Sequence, residues 1–109
     1  FDQSLFVYTT VMSVPNSEFV VVDAGLKCFA FDSGMPIVTD DLTVNYHRPS
    51  DEHGVLDLSN SNRRYSLGDK VRLTPGHCDP TVNLHDWYVC VRGDQVEALW
   101  EITARGAIF

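Results

Sequence analysis

The chain has 109 residues, of which 44% are hydrophobic and 21% charged, a balance typical of one globular domain with its own core. Eight basic residues against fifteen acidic ones give a formal net charge of −7, which argues against nucleic-acid and anionic-membrane partners. No apolar run reaches membrane-spanning length. Three cysteines without framework spacing, and no signal-peptide pattern, predict a reduced, cytoplasmic setting.

In chain order, the first half of the sequence reads as short strands separated by turns. Leu5–Val14 and Phe19–Asp23 are rich in β-branched and aromatic residues, which favour strands. Leu26–Phe31 is a possible third strand, so that the three would form a meander. Shorter strands are predicted at Pro36–Val38 and Thr43–Tyr46.

The second half continues the pattern. Strands are predicted at Val55–Leu58, Lys70–Thr74, Asp86–Arg92 and Gln95–Ile102, with a short helical turn at 81–85 and a hairpin turn at 93–94. The aromatic residues Trp87, Tyr88 and Trp100 are expected in the core. About seven to nine short strands without a sustained helical period predict a single, mainly all-β domain over residues 1–109. A small antiparallel barrel or sandwich fits this count best.

The most informative stretch is Pro75–Pro80, in which His77 and Asp79 stand two residues apart. In an extended segment these two side chains share one face, and Cys78 points to the other. Imidazole and carboxylate suit zinc, manganese or a similar divalent ion, and two ligands leave the remaining positions to water, substrate or another domain. Spacing alone is equally compatible with a surface turn held by a local hydrogen bond.

Two further polar clusters are weaker candidates. Glu52 and His53, which follow Asp51, could lie behind a metal site or act as an acid–base pair, although polar loops collect such residues anyway. Asp32 is more simply a turn cap. His85 follows the metal candidate closely enough to be its neighbour, but a solvated or capping role is the better expectation. The sequence has no nucleophile elbow and no glycine-rich phosphate loop.

Several spaced segments, in this order, resemble the C-terminal β domain of the D-threonine aldolase and D-serine dehydratase family. They are Val21–Gly25, Asp32–Pro36, Asp51–Gly54, Gly68–Val71, Pro75–Leu84 and Val96–Gly106. The resemblance covers nearly the whole chain. It implies a longer enzyme of the alanine-racemase-like type, whose N-terminal (β/α) barrel, absent here, holds pyridoxal phosphate on a lysine.

The resemblance also assigns roles to residues. It places a divalent metal on His77 and Asp79. The polar clusters described above, and not the resemblance, offer Glu52, His53 and Asp32 as possible supporting or substrate-contacting groups. Aldolase-type relatives favour Asp at the second ligand position and dehydratase-type relatives favour Cys. Cys78 lies one position too early to be that thiol, which favours an aldolase acting on D-3-hydroxy amino acids to give glycine and an aldehyde.

Other functions remain open at this point. The dehydratase version would deaminate its substrate to a keto acid and ammonia, and a non-enzymatic β module would use the same residues structurally. With the Schiff-base lysine in the missing barrel, the isolated domain is expected to be inactive. By analogy with the fold type, the parent protein is expected to be a homodimer.

Overall fold

The structure is a computed structural model that describes residues 3–105. Gly106, with which the last family-like segment ends, lies outside the described residues. The described part contains eight strands and one short helix. Their bounds are β1 Val7–Ser13, β2 Phe19–Val22, β3 Ile37–Val38, β4 Asn45–Pro49, β5 Gly54–Asp57, β6 Lys70–Thr74, α1 Cys78–Val82, β7 Trp87–Arg92 and β8 Gln95–Glu101. Within residues 3–105, no helix is long and apolar enough to cross a membrane.

Six of the strands close into an antiparallel barrel in the order β1-β2-β5-β4-β3-β6, so that β6 returns to pair with β1. The remaining two strands, β7 and β8, form a separate hairpin. This architecture confirms the predicted class, a small and mainly all-β antiparallel barrel, and the predicted strand number. Gly93, at the hairpin turn, has a φ of 58°, a left-handed conformation that glycine adopts without a steric penalty.

The core fills the barrel because strand residues alternate between its two faces. In β6, Val71 and Leu73 are buried while the residues beside them face outward, as their alternation in the sequence predicts. Leu56 of β5 and Val20 of β2 are fully buried and paired across the two strands. Tyr46 of β4 lies among them and donates a hydrogen bond from its hydroxyl to the carbonyl of Ala24 at 2.7 Å.

The predicted strand at Leu26–Phe31, and with it the three-strand meander, is wrong. Its backbone begins with a turn, in which the Cys28 amide bonds back to the Gly25 carbonyl at 3.0 Å. The amides of Leu26 and Lys27 bond to carbonyls of the loop at residues 50–51, not to a neighbouring strand. The segment reads as a strand because Phe29 and Phe31 are apolar, yet these rings pack against Tyr46 from a loop.

The expectation that the strand aromatics of β7 and β8 lie in the core is also wrong for both tryptophans. Trp87 is 53% exposed and Trp100 is 63% exposed. Tyr88 is half-buried. The hairpin pairs with no barrel strand in the described part of the chain, so its apolar residues are not brought into the barrel core.

Candidate metal site

His77 lies at the junction between an extended segment and helix α1. Its backbone is extended, with φ −144° and ψ 117°, and it is the N-cap residue of the helix, although its side chain makes no capping hydrogen bond. The prediction of an extended segment through Asp79 is therefore wrong, because the helix begins at Cys78. Pro80 fits this position, since proline is tolerated in the first turn of a helix.

The imidazole of His77 is bound instead to a residue from a distant part of the chain. Its Nδ1 lies 2.7 Å from Oδ2 of Asp32, and both side chains are about half exposed. The Ser33 hydroxyl is 3.5 Å from the same nitrogen, too long for a strong hydrogen bond. The hydrogen bond from His77 holds the pKa of Asp32 below its ordinary value.

This hydrogen bond fixes the tautomer of the ring. A carboxylate can only accept, so Nδ1 of His77 carries the proton and donates it to Asp32. In the neutral imidazole the lone pair is then on Nε2, which has no hydrogen bond to the rest of the described residues. A histidine whose second nitrogen is held by a carboxylate is the usual form of a metal-ligating histidine.

A buried threonine and a close backbone approach bring Asp32 and His77 together. The hydroxyl of Thr81, in α1, donates to the His77 carbonyl at 2.7 Å and accepts from the Ala30 amide at 3.0 Å. Thr81 is only 2% exposed, so both bonds are sheltered from water. At Gly76, an added Cβ would lie 2.6 Å from the carbonyl oxygen of Gly34, so only glycine lets the two loops approach this closely.

Asp79 lies in the first turn of α1, and its side chain is exposed, as is that of Cys78. Among residues 3–105, no group of three or more His, Cys, Asp and Glu side chains is arranged to hold a metal ion. The described part of the chain therefore does not supply a closed coordination shell. His77 and Asp79 stay a predicted pair of ligands, which other groups would have to complete.

The second predicted cluster is occupied differently. Glu52 forms an ion pair with Lys27, with Oε1 and Nζ 2.6 Å apart, and this hydrogen bond lowers the pKa of Glu52. His53 is exposed, while its backbone packs closely against Gly25. Residues 50–53 line a shallow, open depression of their own. In the described residues, neither Glu52 nor His53 joins His77 in a possible metal cluster.

The chain is similar to known proteins over nearly its whole length. The family described as "Putative serine dehydratase domain" matches residues 4–91. The chain belongs to this family. A 3-hydroxy-D-aspartate aldolase from Paracoccus denitrificans is 49% identical over 105 residues, which are 96% of this chain and 27% of that protein. A D-threonine aldolase from Arthrobacter sp. is 45% identical over 106 residues, 97% of this chain and 28% of that protein.

A solved structure agrees with the sequence comparisons. The crystal structure of D-threonine aldolase from Filomicrobium marinum matches this chain with a TM-score of 0.94 and 44% sequence identity, over 100% of this chain and 30% of that one. These findings confirm the family resemblance drawn from the sequence. They also show that the chain spans less than a third of the length of its relatives.

Sequence reasoning missed part of what builds the candidate site. Thr81 gave no signal, because a threonine in a polar turn is common. His85, expected to be solvated or capping, is half-buried, and its Nε2 lies 2.9 Å from the Cys28 carbonyl. Burial raises the pKa of the Cys28 thiol, which makes this cysteine a poor nucleophile. In the sequence, Gly76 was the one indication that another part of the backbone, here at Gly34, approaches this loop closely.

Proposed function

We propose that this chain is the metal-bearing C-terminal domain of a pyridoxal-phosphate-dependent lyase that acts on D-3-hydroxy amino acids, of the D-threonine aldolase type. The observation that carries the proposal is the 2.7 Å contact between Asp32 and His77, which leaves Nε2 of a half-exposed imidazole available to a metal ion. The family and the two aldolase relatives support the reaction class.

The residues present fit a divalent ion with an open shell. His77 would supply a nitrogen and Asp79 an oxygen, a donor pair suited to Mn²⁺ or Zn²⁺. Asp32 would hold the ring orientation and the tautomer of His77. Because two protein ligands leave positions free, a hydroxyl of the substrate has access to the ion, as in catalytic metal sites generally.

The reaction itself would need groups that this chain does not contain. When bound, the metal would act as a Lewis acid toward the β-hydroxyl, and pyridoxal phosphate would accept the electrons released at Cα. This domain would contribute by positioning the metal ligands. Thr81 and Gly76 hold the loops of Asp32 and His77 together, and Asp32 orients the imidazole so that Nε2 can face the metal. A preceding (β/α) barrel of the same polypeptide, in a cytoplasmic homodimer, would provide the cofactor and its lysine.

The aldolase version is favoured over the dehydratase version by the residue at position 79. Under the resemblance, dehydratase-type relatives carry Cys where this chain has Asp79, and both relatives described above are named as aldolases. The dehydratase remains the second candidate, because the matching family is described by that activity.

Metal titration tests the site directly. Isothermal titration of Mn²⁺ and Zn²⁺ into the 109-residue chain should show weak one-to-one binding that is lost in His77→Ala and in Asp79→Ala. His47→Ala removes another exposed imidazole and should leave the affinity unchanged, which makes it the matched control. Equal affinity in the wild type and in His77→Ala would refute the assigned ligands.

Product analysis of the full-length parent polypeptide tests the reaction. With D-threonine it should release glycine and acetaldehyde, and the activity should fall on chelation and return with Mn²⁺. A keto acid and ammonia as the main products would instead establish the dehydratase. Turnover by the 109-residue chain alone would contradict the division of labour between the two domains.

A further inference from the structure

The β7–β8 hairpin carries an apolar face that nothing in the described structure covers. Its cross-strand pairs include Val89 with Leu99 and Val91 with Val96, because the register shift skips Glu97. Trp87 lies two residues before Val89 and so points to the same side. These five side chains, which we call the apolar hairpin face, are each between 53% and 62% exposed.

This side of the hairpin is mainly apolar, and Glu101, which pairs with Trp87, is its charged residue at the open end of the hairpin. On the opposite side, Tyr88, Cys90 and Ala98 are half-buried, whereas Trp100, which pairs with Tyr88, is 63% exposed. Single exposed apolar residues are normal, but a contiguous patch of five marks a surface that binds something. A two-stranded hairpin is also marginally stable by itself, and within residues 3–105 neither strand pairs with the barrel.

The size of the face decides between two occupants. A seven-residue strand is about 23 Å long and one face of a two-stranded ribbon is about 10 Å wide, so the flat footprint of the face is about 230 Å². The accessible area of its five protruding side chains exceeds this footprint but stays below the roughly 800 Å² per partner of a stable complex. A second copy would gain too little from this face alone. A domain on the same polypeptide needs less area, because its high effective concentration replaces the cost of association.

We infer that the apolar hairpin face docks onto the part of the parent polypeptide that lies outside this chain. The relatives are more than three times as long as the segment they share with this chain, which supports a parent polypeptide of similar length. The inference rests on the proposed function only for the existence of that larger enzyme. It requires neither the metal nor the role of His77, and the face would meet an apolar surface of the preceding domain.

Hydrogen exchange compares the hairpin in the two contexts. Amides of β7 and β8 should exchange at least tenfold more slowly in the full-length parent polypeptide than in the 109-residue chain, whereas amides of β2 and β5 should differ little. Equal hairpin rates in both proteins would overturn the inference. Hairpin protection that rises with the concentration of the 109-residue chain would assign the face to a second copy and would overturn it as well.

A pair of substitutions gives an independent readout. Val89→Lys with Val96→Lys should leave the melting temperature of the 109-residue chain nearly unchanged, because both side chains are exposed there and are not direct cross-strand partners, and should lower that of the parent polypeptide. The matched control is Leu42→Lys with Leu67→Lys, which alters two exposed leucines in turns and should be neutral in both proteins. The same effect in both contexts would refute docking, while the metal titration of His77→Ala reports separately on the proposed function.

Discussion

Removing the Asp32 carboxylate tests whether the His77 imidazole is preorganised for a metal. In Asp32→Ala the ring loses the partner that fixes its orientation and keeps the proton on Nδ1. A supporting carboxylate of this kind changes metal affinity by about 10-fold to 100-fold. Because both side chains are about half exposed, water replaces part of what is lost, and we expect the lower end, about 10-fold in Kd.

A graded series distinguishes orientation from charge. Asp32→Asn retains an acceptor oxygen but no charge, and its Kd for Mn²⁺ should fall between those of the wild type and Asp32→Ala. Asp94→Asn removes the same unit of charge from an exposed hairpin turn and should bind like the wild type. If Asp32→Ala binds Mn²⁺ as tightly as Asp94→Asn does, the 2.7 Å contact with His77 has no role in metal binding.

Three further substitutions test the fold around the site. Leu56→Ala in the barrel core should lower the free energy of unfolding, measured in urea, by about 2–5 kcal/mol. Leu42→Ala, at an exposed position, should change it by less than about 0.5 kcal/mol. Similar losses in the two variants would place Leu56 outside the core. Burial raises the pKa of Tyr46 to about 12, so the neutral hydroxyl stabilises the fold below pH 10. The free energy of unfolding should therefore fall by about 1–2 kcal/mol as the pH rises from about 10 to about 12. Tyr46→Phe should lack this fall, and the same pH dependence in both proteins would refute the assignment. Thr81→Val leaves the Ala30 amide and the His77 carbonyl without their partner and should lower the free energy of unfolding by about 1–3 kcal/mol in the same urea assay. Thr81→Ser keeps the hydroxyl and should lower it by less. Equal losses would show that only the packing of the side chain matters.

The barrel could be predicted largely from local patterns, because each strand has to place alternate residues inside. The alternation around Val71 and Leu73 is a direct consequence of that requirement. The same reasoning failed at Leu26–Phe31, where apolar residues serve a loop that packs on Tyr46. The prediction of a buried Trp87 also failed. A strand pattern indicates that a side chain can pack against something, but it does not show which surface, if any, covers that side chain in this domain.

From the sequence, the candidate site could be predicted only for residues that lie close together in the chain. The spacing of His77 and Asp79 suggested a metal, but Asp32 is 45 residues away, and no local rule connects the two. Their contact depends on a tertiary arrangement, the closure of one loop on another at Gly76 and Thr81. The sequence offered Asp32 only as a possible supporting group, with a turn cap as the simpler role, and gave no sign of its contact with His77.

The candidate site and the hairpin are close neighbours in the chain, and their coupling can be tested. Helix α1 ends at Val82 and β7 begins at Trp87, so only residues 83–86 separate them. Arg105, beyond β8, bonds to the His85 carbonyl at 2.9 Å and pairs with Asp86 at 3.1 Å, which ties the base of the hairpin to this connection. Docking of the apolar hairpin face would therefore also fix where helix α1 points.

This coupling predicts that the hairpin substitutions affect the metal only when the rest of the polypeptide is present. Val89→Lys with Val96→Lys should leave the Mn²⁺ affinity of the 109-residue chain unchanged, because both residues lie on the exposed hairpin face and not at His77 or Asp79. In the parent polypeptide the same pair should raise the Mn²⁺ concentration needed for half-maximal activity by several-fold, since the two ligands would no longer be held against the groups that complete their shell. An equal loss of Mn²⁺ binding in both proteins would show that the hairpin acts on the metal site within this domain. No loss in either protein would show that docking of the hairpin does not influence metal binding.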